Sequence, residues 1–189
     1  QVGSLYEDFF TGDVTVTTNL INAGVEATTA SFRAPAVYAT KGVDGSDMDW
    51  TITRFALLDL DGDGADELVL AIDYSGEEEY VILTCYDGAV YANQVVHRGF
   101  LSPKADGTFE WSNGAFDNGA SRARFENGVL VYDDFAAMSE GSDGNAVYTL
   151  NSESVDENAY NAFLDEQGVK DDLAWTEFSV DAVNAALAG

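Results

Sequence analysis

The segment from Phe55 to Ile72 constrains this chain more than any other. It sets two wholly apolar runs, Phe55-Ala56-Leu57-Leu58 and Leu68-Val69-Leu70-Ala71-Ile72, on either side of an acidic loop containing two glycines. A strand with one face in water alternates apolar and polar side chains, whereas runs apolar at every position read as strands covered on both faces. Trp50 to Leu60, Leu68 to Ile72 and Tyr80 to Tyr86 are therefore expected to be central strands, each bounded by Gly or acidic clusters.

After Tyr86 the chain is punctuated by Asp87-Gly88, Asp106-Gly107, Asn113-Gly114, Asn118-Gly119 and Asn127-Gly128. Such pairs suit the positive φ angles of hairpin turns, and the segments Ala89 to Val96, Ser121 to Phe125 and Val129 to Tyr132 suit strands. An antiparallel meander follows, although several intervening segments are too short for all five pairs to be hairpin tips. The N-terminal third is less legible. Leu5, Tyr6, Phe9 and Phe10 recur at helical spacing between Ser4 and Phe10, with Gly12 as a stop. Val14, Val16 and Ala30 to Thr40 are strand-like but broken by Gly24, Pro35 and Gly42.

The last forty residues change character. Asp156 is placed to cap a helix, with Val155 and Tyr160 as a hydrophobic staple, Tyr160, Phe163 and Leu164 on one face and Gly168 as the stop. A second helix is expected from Ser179, with Val180, Val183 and Leu187 in one apolar stripe. Both need a surface, and one sheet face is the simplest. The expected fold is a single α+β domain over residues 1–189, mainly β to about residue 150 and helical over 151–189. It comprises an antiparallel meander, a short N-terminal helix and C-terminal helices packed on the sheet.

Charge narrows the partners. The 34 Asp+Glu against 8 Lys+Arg among 189 residues leave a formal charge of −26, which repels nucleic acid and anionic membrane surfaces. No window of about 18 apolar residues exists to span a bilayer. One His and one Cys exclude a Cys/His zinc site within the chain and an internal disulfide. Abundant acid, Asn and Gly with little Lys fits an extracellular or cell-surface protein, and a start at Gln1 without a leader suggests a processed or trimmed N-terminus.

The loop between the two apolar runs carries the chemistry. Asp59, Asp61 and Asp63 occupy positions 1, 3 and 5, with Gly64 at position 6, so alternate side chains can converge on one cation while Gly makes the sharp turn. Oxygen donors without thiolate or imidazole select Ca2+ over softer metals. An EF-hand needs a bidentate acid at position 12 between helices, but position 12 is Leu70 and both flanks are strand-like. Closure instead falls to Glu67 at position 9 and the Ala65 carbonyl at position 7. The candidate metal ligands are thus Asp59, Asp61, Asp63, Ala65 and Glu67. Strand alternation then puts Glu67, Val69 and Ala71 on one side and Leu68, Leu70 and Ile72 on the other.

Asp59 to Leu70 resembles the Asp-x-Asp-x-Asp-Gly-x-x-Asp calcium loop of FG-GAP repeats, such as those of integrin α-chain propellers, with Glu67 in place of the last Asp. Leu5-Tyr-Glu-Asp-Phe-Phe-Thr-Gly, Phe55 to Leu68, Asp106-Gly-Thr-Phe and Val155 to Leu164 together resemble uncharacterised secreted or lipid-anchored proteins of Gram-positive anaerobes. Those proteins generally carry Asp-Gly-Asp-Gly-x-x-Glu-Leu, so Glu67 is in keeping with them. The resemblance implies a calcium site and an exported location only. A propeller would need several blades, and one copy of the loop does not supply them. Asp44-Gly45-Ser46-Asp47 and Ser142-Asp143-Gly144-Asn145 lack the spacing and read as acidic turns.

Other residues offer chemistry of their own. Glu77-Glu78-Glu79 with Asp133 or Asp134 would be a carboxylate pair of a glycoside hydrolase, but among so many acids an acidic turn is the plainer reading. His97 has no Gly-x-Ser-x-Gly partner, and Cys85 reads as a small buried hydrophobe. Tyr74, Tyr91 and Trp111 lie near turns where a carbohydrate-binding platform could form, although most aromatics of a small β-rich domain are core. The expectation is a non-enzymatic, calcium-stabilised surface module whose partner is a protein or a glycan.

Overall fold

The computed structural model of the protein describes Tyr6 and residues 15–22, 25–33, 50–95 and 98–188. The described strands are β1 (Thr15–Asn22), β2 (Val25–Arg33), β3 (Trp50–Leu58), β4 (Glu67–Tyr74), β5 (Glu77–Tyr86) and β6 (Ala89–Val95). They continue with β7 (Thr108–Gly114), β8 (Asp117–Glu126), β9 (Val129–Glu140), β10 (Ala146–Leu150), β11 (Glu153–Val155) and β12 (Thr176–Glu177). Helix α1 (Glu157–Gly168) lies between β11 and β12, and α2 (Val180–Leu187) follows β12.

The strands divide into a seven-stranded sheet, ordered β12-β3-β4-β5-β6-β1-β2, and a five-stranded sheet, ordered β11-β10-β9-β8-β7. Every pairing is antiparallel except that of β1 with β6, which is parallel. The expected single meander is therefore corrected to two mostly antiparallel sheets with two short helices. The break comes after β6, where residues 98–107 carry the chain across to the second sheet instead of turning it back onto the first.

Apolar runs on β4 and β5 explain the layering. Leu68, Leu70, Ile72, Val81 and Leu83 face one core with Phe55, Val90, Ala92, Tyr6 and Val183 of α2. Val69, Ile82 and Val95 point to the opposite side, into a second core completed by Phe100, Phe109, Ala123 and Leu130. Phe109, Ala123 and Leu130 belong to the five-stranded sheet, so this second core is the seam between the sheets. Both faces of the central strands are covered, as the sequence required.

The helices do not share a face, contrary to the simple expectation. Val183, Ala182 and Leu187 of α2 pack on the outer face of the seven-stranded sheet, whereas Tyr160, Phe163 and Leu164 of α1 pack on Ala120 and Ala136 of the five-stranded one. A bulge makes the second arrangement possible. Ser121 pairs with Asp134 and Ala120 with Ala136, leaving Phe135 as an extra residue on β9. That extra residue turns Ala136 and Met138 away from the seam and toward α1. Asp156 caps α1 through Ala159 N–H at 2.8 Å and Ser179 caps α2 through Ala182 N–H at 3.1 Å, both at the expected positions. Val180 points outward, so Ala182 takes its place in the buried stripe.

The turns were partly legible. Asp87-Gly88 and Asn127-Gly128 close β5–β6 and β8–β9 with positive φ at both residues, and Ser142 to Asn145 joins β9 to β10. Asn118-Gly119 instead runs inside β8, and Glu77-Glu78-Glu79, read as an acidic turn, forms the start of β5 opposite Ile72, Asp73 and Tyr74. The turn there is Ser75-Gly76, short enough to extend the ladder through the glutamates. The expected helix from Ser4 to Phe10, apart from Tyr6, and the Asp44 to Asp47 turn lie outside the described residues.

One buried amide ties the two sheets. Asn93 of β6 has no exposed surface, accepts from Leu130 N–H at 2.9 Å and donates to the Gly128 carbonyl at 3.0 Å. Replacing it by alanine removes the side-chain partner of a buried donor of β9, Leu130 N–H, and of a buried acceptor in the turn before it, the Gly128 carbonyl. Asn93→Ala is expected to cost about 1–3 kcal/mol in urea unfolding, and an unchanged midpoint would show that β9 finds other partners.

Candidate metal centre

The Asp59 to Glu67 loop joins the adjacent antiparallel strands β3 and β4, so its two ends are held together by the ladder that pairs Leu58 with Glu67. Within it the carboxylates are ordered by backbone amides. Asp59 accepts from Gly62 N–H at 2.7 Å and from Gly64 N–H at 3.0 Å, Asp61 from Asp63 N–H at 3.1 Å, and Asp63 from Ala65 N–H at 2.7 Å. These short side-chain to backbone bonds are what Asp favours in turns. Gly62 and Gly64 take φ of +79° and +89°, which folds the loop back on its first carboxylate.

Glu67 is the unusual member. It is only 3% exposed and lies on the seam side of β4, the side alternation assigned to it. One carboxyl oxygen accepts from Leu60 N–H at 3.0 Å and the other from the Thr84 hydroxyl at 3.2 Å. Among the described residues no Lys or Arg pairs with it. Burial pushes its carboxyl up to about 8, against the lowering effect of the Leu60 amide and with help from the Asp61 charge. Burial also raises Asp61, and the charges of Asp63 and Asp59 add to the rise.

Oxygens of Asp59, Asp61 and Glu67 lie within 4.8 Å of one another. Two oxygens bound to one cation at about 2.4 Å can be no more than about 4.8 Å apart, so this spacing is compatible with a single calcium-sized ion. The donor set fits a hard divalent cation and offers a soft one nothing. Asp63 is exposed and is not one of the three carboxylates brought within that distance. Ala65 is half-buried, with its amide held by Asp63.

Sequence reasoning missed three supports of the site. Thr84 falls beside Glu67 only through the β4–β5 register, in which Leu68 faces Leu83. Leu60, in the middle of the acidic loop, is 1% exposed and belongs to the seam core. Tyr6 donates its hydroxyl to the Leu83 carbonyl at 2.9 Å and the Asp66 carbonyl at 3.3 Å, fastening an N-terminal side chain to the exit of the loop. Only Leu60 left a trace in the sequence, as an apolar residue between two aspartates.

The remaining candidates are engaged elsewhere. Glu78 pairs with Arg54 and accepts from the Tyr80 hydroxyl, while Asp134 accepts from Ser121 and from the Trp111 indole N–H. They sit on different sheets. Tyr74 packs on the outer core, Trp111 is buried in the second sheet, and Tyr91 meets Tyr86 edge-on with planes 73° apart, so these three rings do not form one platform. Cys85 is a free, half-buried thiol, raised by burial and by the Glu67 charge against a hydrogen bond with Tyr6. His97 lies outside the described residues. Comparison with protein families, with curated proteins and with solved structures returns no match for this chain.

The raised Glu67 carboxyl fixes a sign for pH dependence. In the metal-free protein its folded value of about 8 exceeds the ordinary 4.5. Stability from this group is therefore present at low pH and lost as pH rises through 8. Urea unfolding in chelator should give a less stable protein at pH 8.5 than at pH 5. Because overall self-repulsion also grows with pH, the comparison is with Glu67→Gln, in which the pH slope should be shallower. Equal slopes would remove Glu67 as the cause.

Proposed function

We propose that this protein is a calcium-binding, non-enzymatic module in which the ion is structural, binding between Asp59, Asp61 and Glu67 with Asp63 and the Ala65 carbonyl as further ligands. The observation that carries this reading is the convergence of three carboxylates, one of them buried, with no cationic side chain among the described residues to neutralise them. Like charges at such separations repel and each raises the others' proton affinity, so a divalent cation is the natural counter-charge. A bound ion would link the end of β3 to the start of β4 and draw Glu67 into its charged form.

The setting we propose is extracellular or cell-surface, where millimolar calcium saturates sites of modest affinity. The strong net negative charge supports it by disfavouring nucleic acid and anionic membrane partners. Among the described residues no helix is long and apolar enough to cross a membrane. The partner in this reading is a protein or glycan of the cell surface.

At 100-fold excess over its dissociation constant a ligand adds about 2.7 kcal/mol to folding, which for a chain of this size is roughly 5–10 °C in melting temperature. Thermal unfolding with calcium and with chelator should show a rise of that order, and Asp61→Ala should abolish it. A wild type whose melting temperature ignores calcium would refute the assignment.

A further inference from the structure

We propose that cation binding at the 59–67 loop is coupled to the seating of the second sheet through the Asp106-Gly107 turn, with Gly107 as a positioning residue outside the loop. The inference rests on the cation reading above and extends it to how the site is held.

Leu60 is the point of contact. It stands between two proposed ligands, Asp59 and Asp61, so its backbone cannot shift without moving both. Its side chain is buried in the seam core with Phe100 and Phe109, and its amide donates to Glu67 at 3.0 Å. Its carbonyl side is occupied by Gly107. A Cβ placed on Gly107 would lie 3.1 Å from the Leu60 carbonyl oxygen, 3.5 Å from the Leu60 Cα and 3.6 Å from the Asp59 carbonyl oxygen. A side chain at Gly107 would make the Leu60 backbone give way by a few tenths of an ångström, and φ of +80° at Gly107 adds a second reason for glycine.

The turn is anchored independently of the loop. Gly107 N–H donates to the Lys104 carbonyl at 3.0 Å and Lys104 N–H to the Thr108 carbonyl at 2.8 Å. Asp106 accepts from the Thr108 hydroxyl at 2.6 Å and from Lys170 Nζ at 2.7 Å. Lys104 reaches the Gly168 carbonyl at 3.2 Å and Asp172 at 2.7 Å, which ties the turn to the C-terminal end of α1. Leu60 is thus clamped between a braced turn and a ring of carboxylates. An ion that draws Asp59, Asp61 and Glu67 together fixes Leu60 against Gly107, and by linkage a well-seated turn favours the ion.

The test is calcium titration of the whole protein by calorimetry, comparing wild type, Gly107→Ala and Gly88→Ala. Gly88 is the control, since its φ of +75° brings similar strain while no atom lies within 4 Å of its Cβ position. Gly107→Ala should lose about tenfold in calcium affinity, with Gly88→Ala matching wild type. Equal affinities in the two variants would overturn the coupling. Should Gly107→Ala fail to fold, hydrogen exchange of the wild type decides. Saturating calcium should slow exchange at Lys104, Ala105, Gly107 and Thr108 by at least about fivefold, and protection confined to 59–67 would overturn the proposal. A wild type that takes up no calcium refutes the cation reading and the coupling together, whereas binding without the distant effects refutes the coupling alone.

Discussion

Glu67 places a carboxylate at the edge of a core that is otherwise mostly hydrocarbon, and much of the architecture around the seam serves to hold it there. Its neighbours on β4 are wholly buried, so it cannot swing into water without unpicking the strand. The Leu60 amide and the Thr84 hydroxyl orient both of its oxygens, and the carboxylates of Asp59 and Asp61 approach from the solvent side. A buried carboxyl either keeps its proton or finds a positive partner. In the reading proposed above, that choice would make the loop sensitive to both pH and cations.

The same strands that hold Glu67 also divide the molecule. Leu68, Leu70 and Ile72 build the outer core with α2, while Val69 builds the seam with the second sheet. β4 and β5 therefore act as a wall with a core on each side. The Asn93 side-chain amide crosses the seam to the backbone of Gly128 and Leu130, and the 98–107 connection crosses it with Phe100 and the Gly107 turn. The acidic loop sits at the end of that seam, with Leu60 buried in it beside the Gly107 turn.

What could be read in advance was whatever depends on neighbours in sequence. Asp156 and Ser179 cap their helices because a side-chain oxygen reaches an amide three residues on, and Asp87-Gly88 and Asn127-Gly128 turn because those residues tolerate positive φ. The sharp turn of the loop at Gly64 was legible for the same reason, since φ there is +89°. The helices on separate sheets, the parallel pairing of β1 with β6 and the extension of β5 through Glu77-Glu78-Glu79 were not legible. Each is decided by which distant strand supplies the next ladder. The bulge at Phe135 belongs with them, since only the pairing of β8 with β9 reveals an extra residue.

By itself the sequence determined that two apolar strands flank an oxygen-rich loop, that both faces of those strands must be covered, and that Glu67 and Val69 share a side. Those properties follow from strand period and from chemistry within a few residues. The tertiary structure alone decided that the covering layers are a second sheet on one side and α2 on the other. It also decided that Thr84, Tyr6 and Gly107 brace the loop, and that Glu67 is buried rather than merely acidic. These depend on strand register and on contacts between residues far apart in the chain, and a linear pattern carries no record of either.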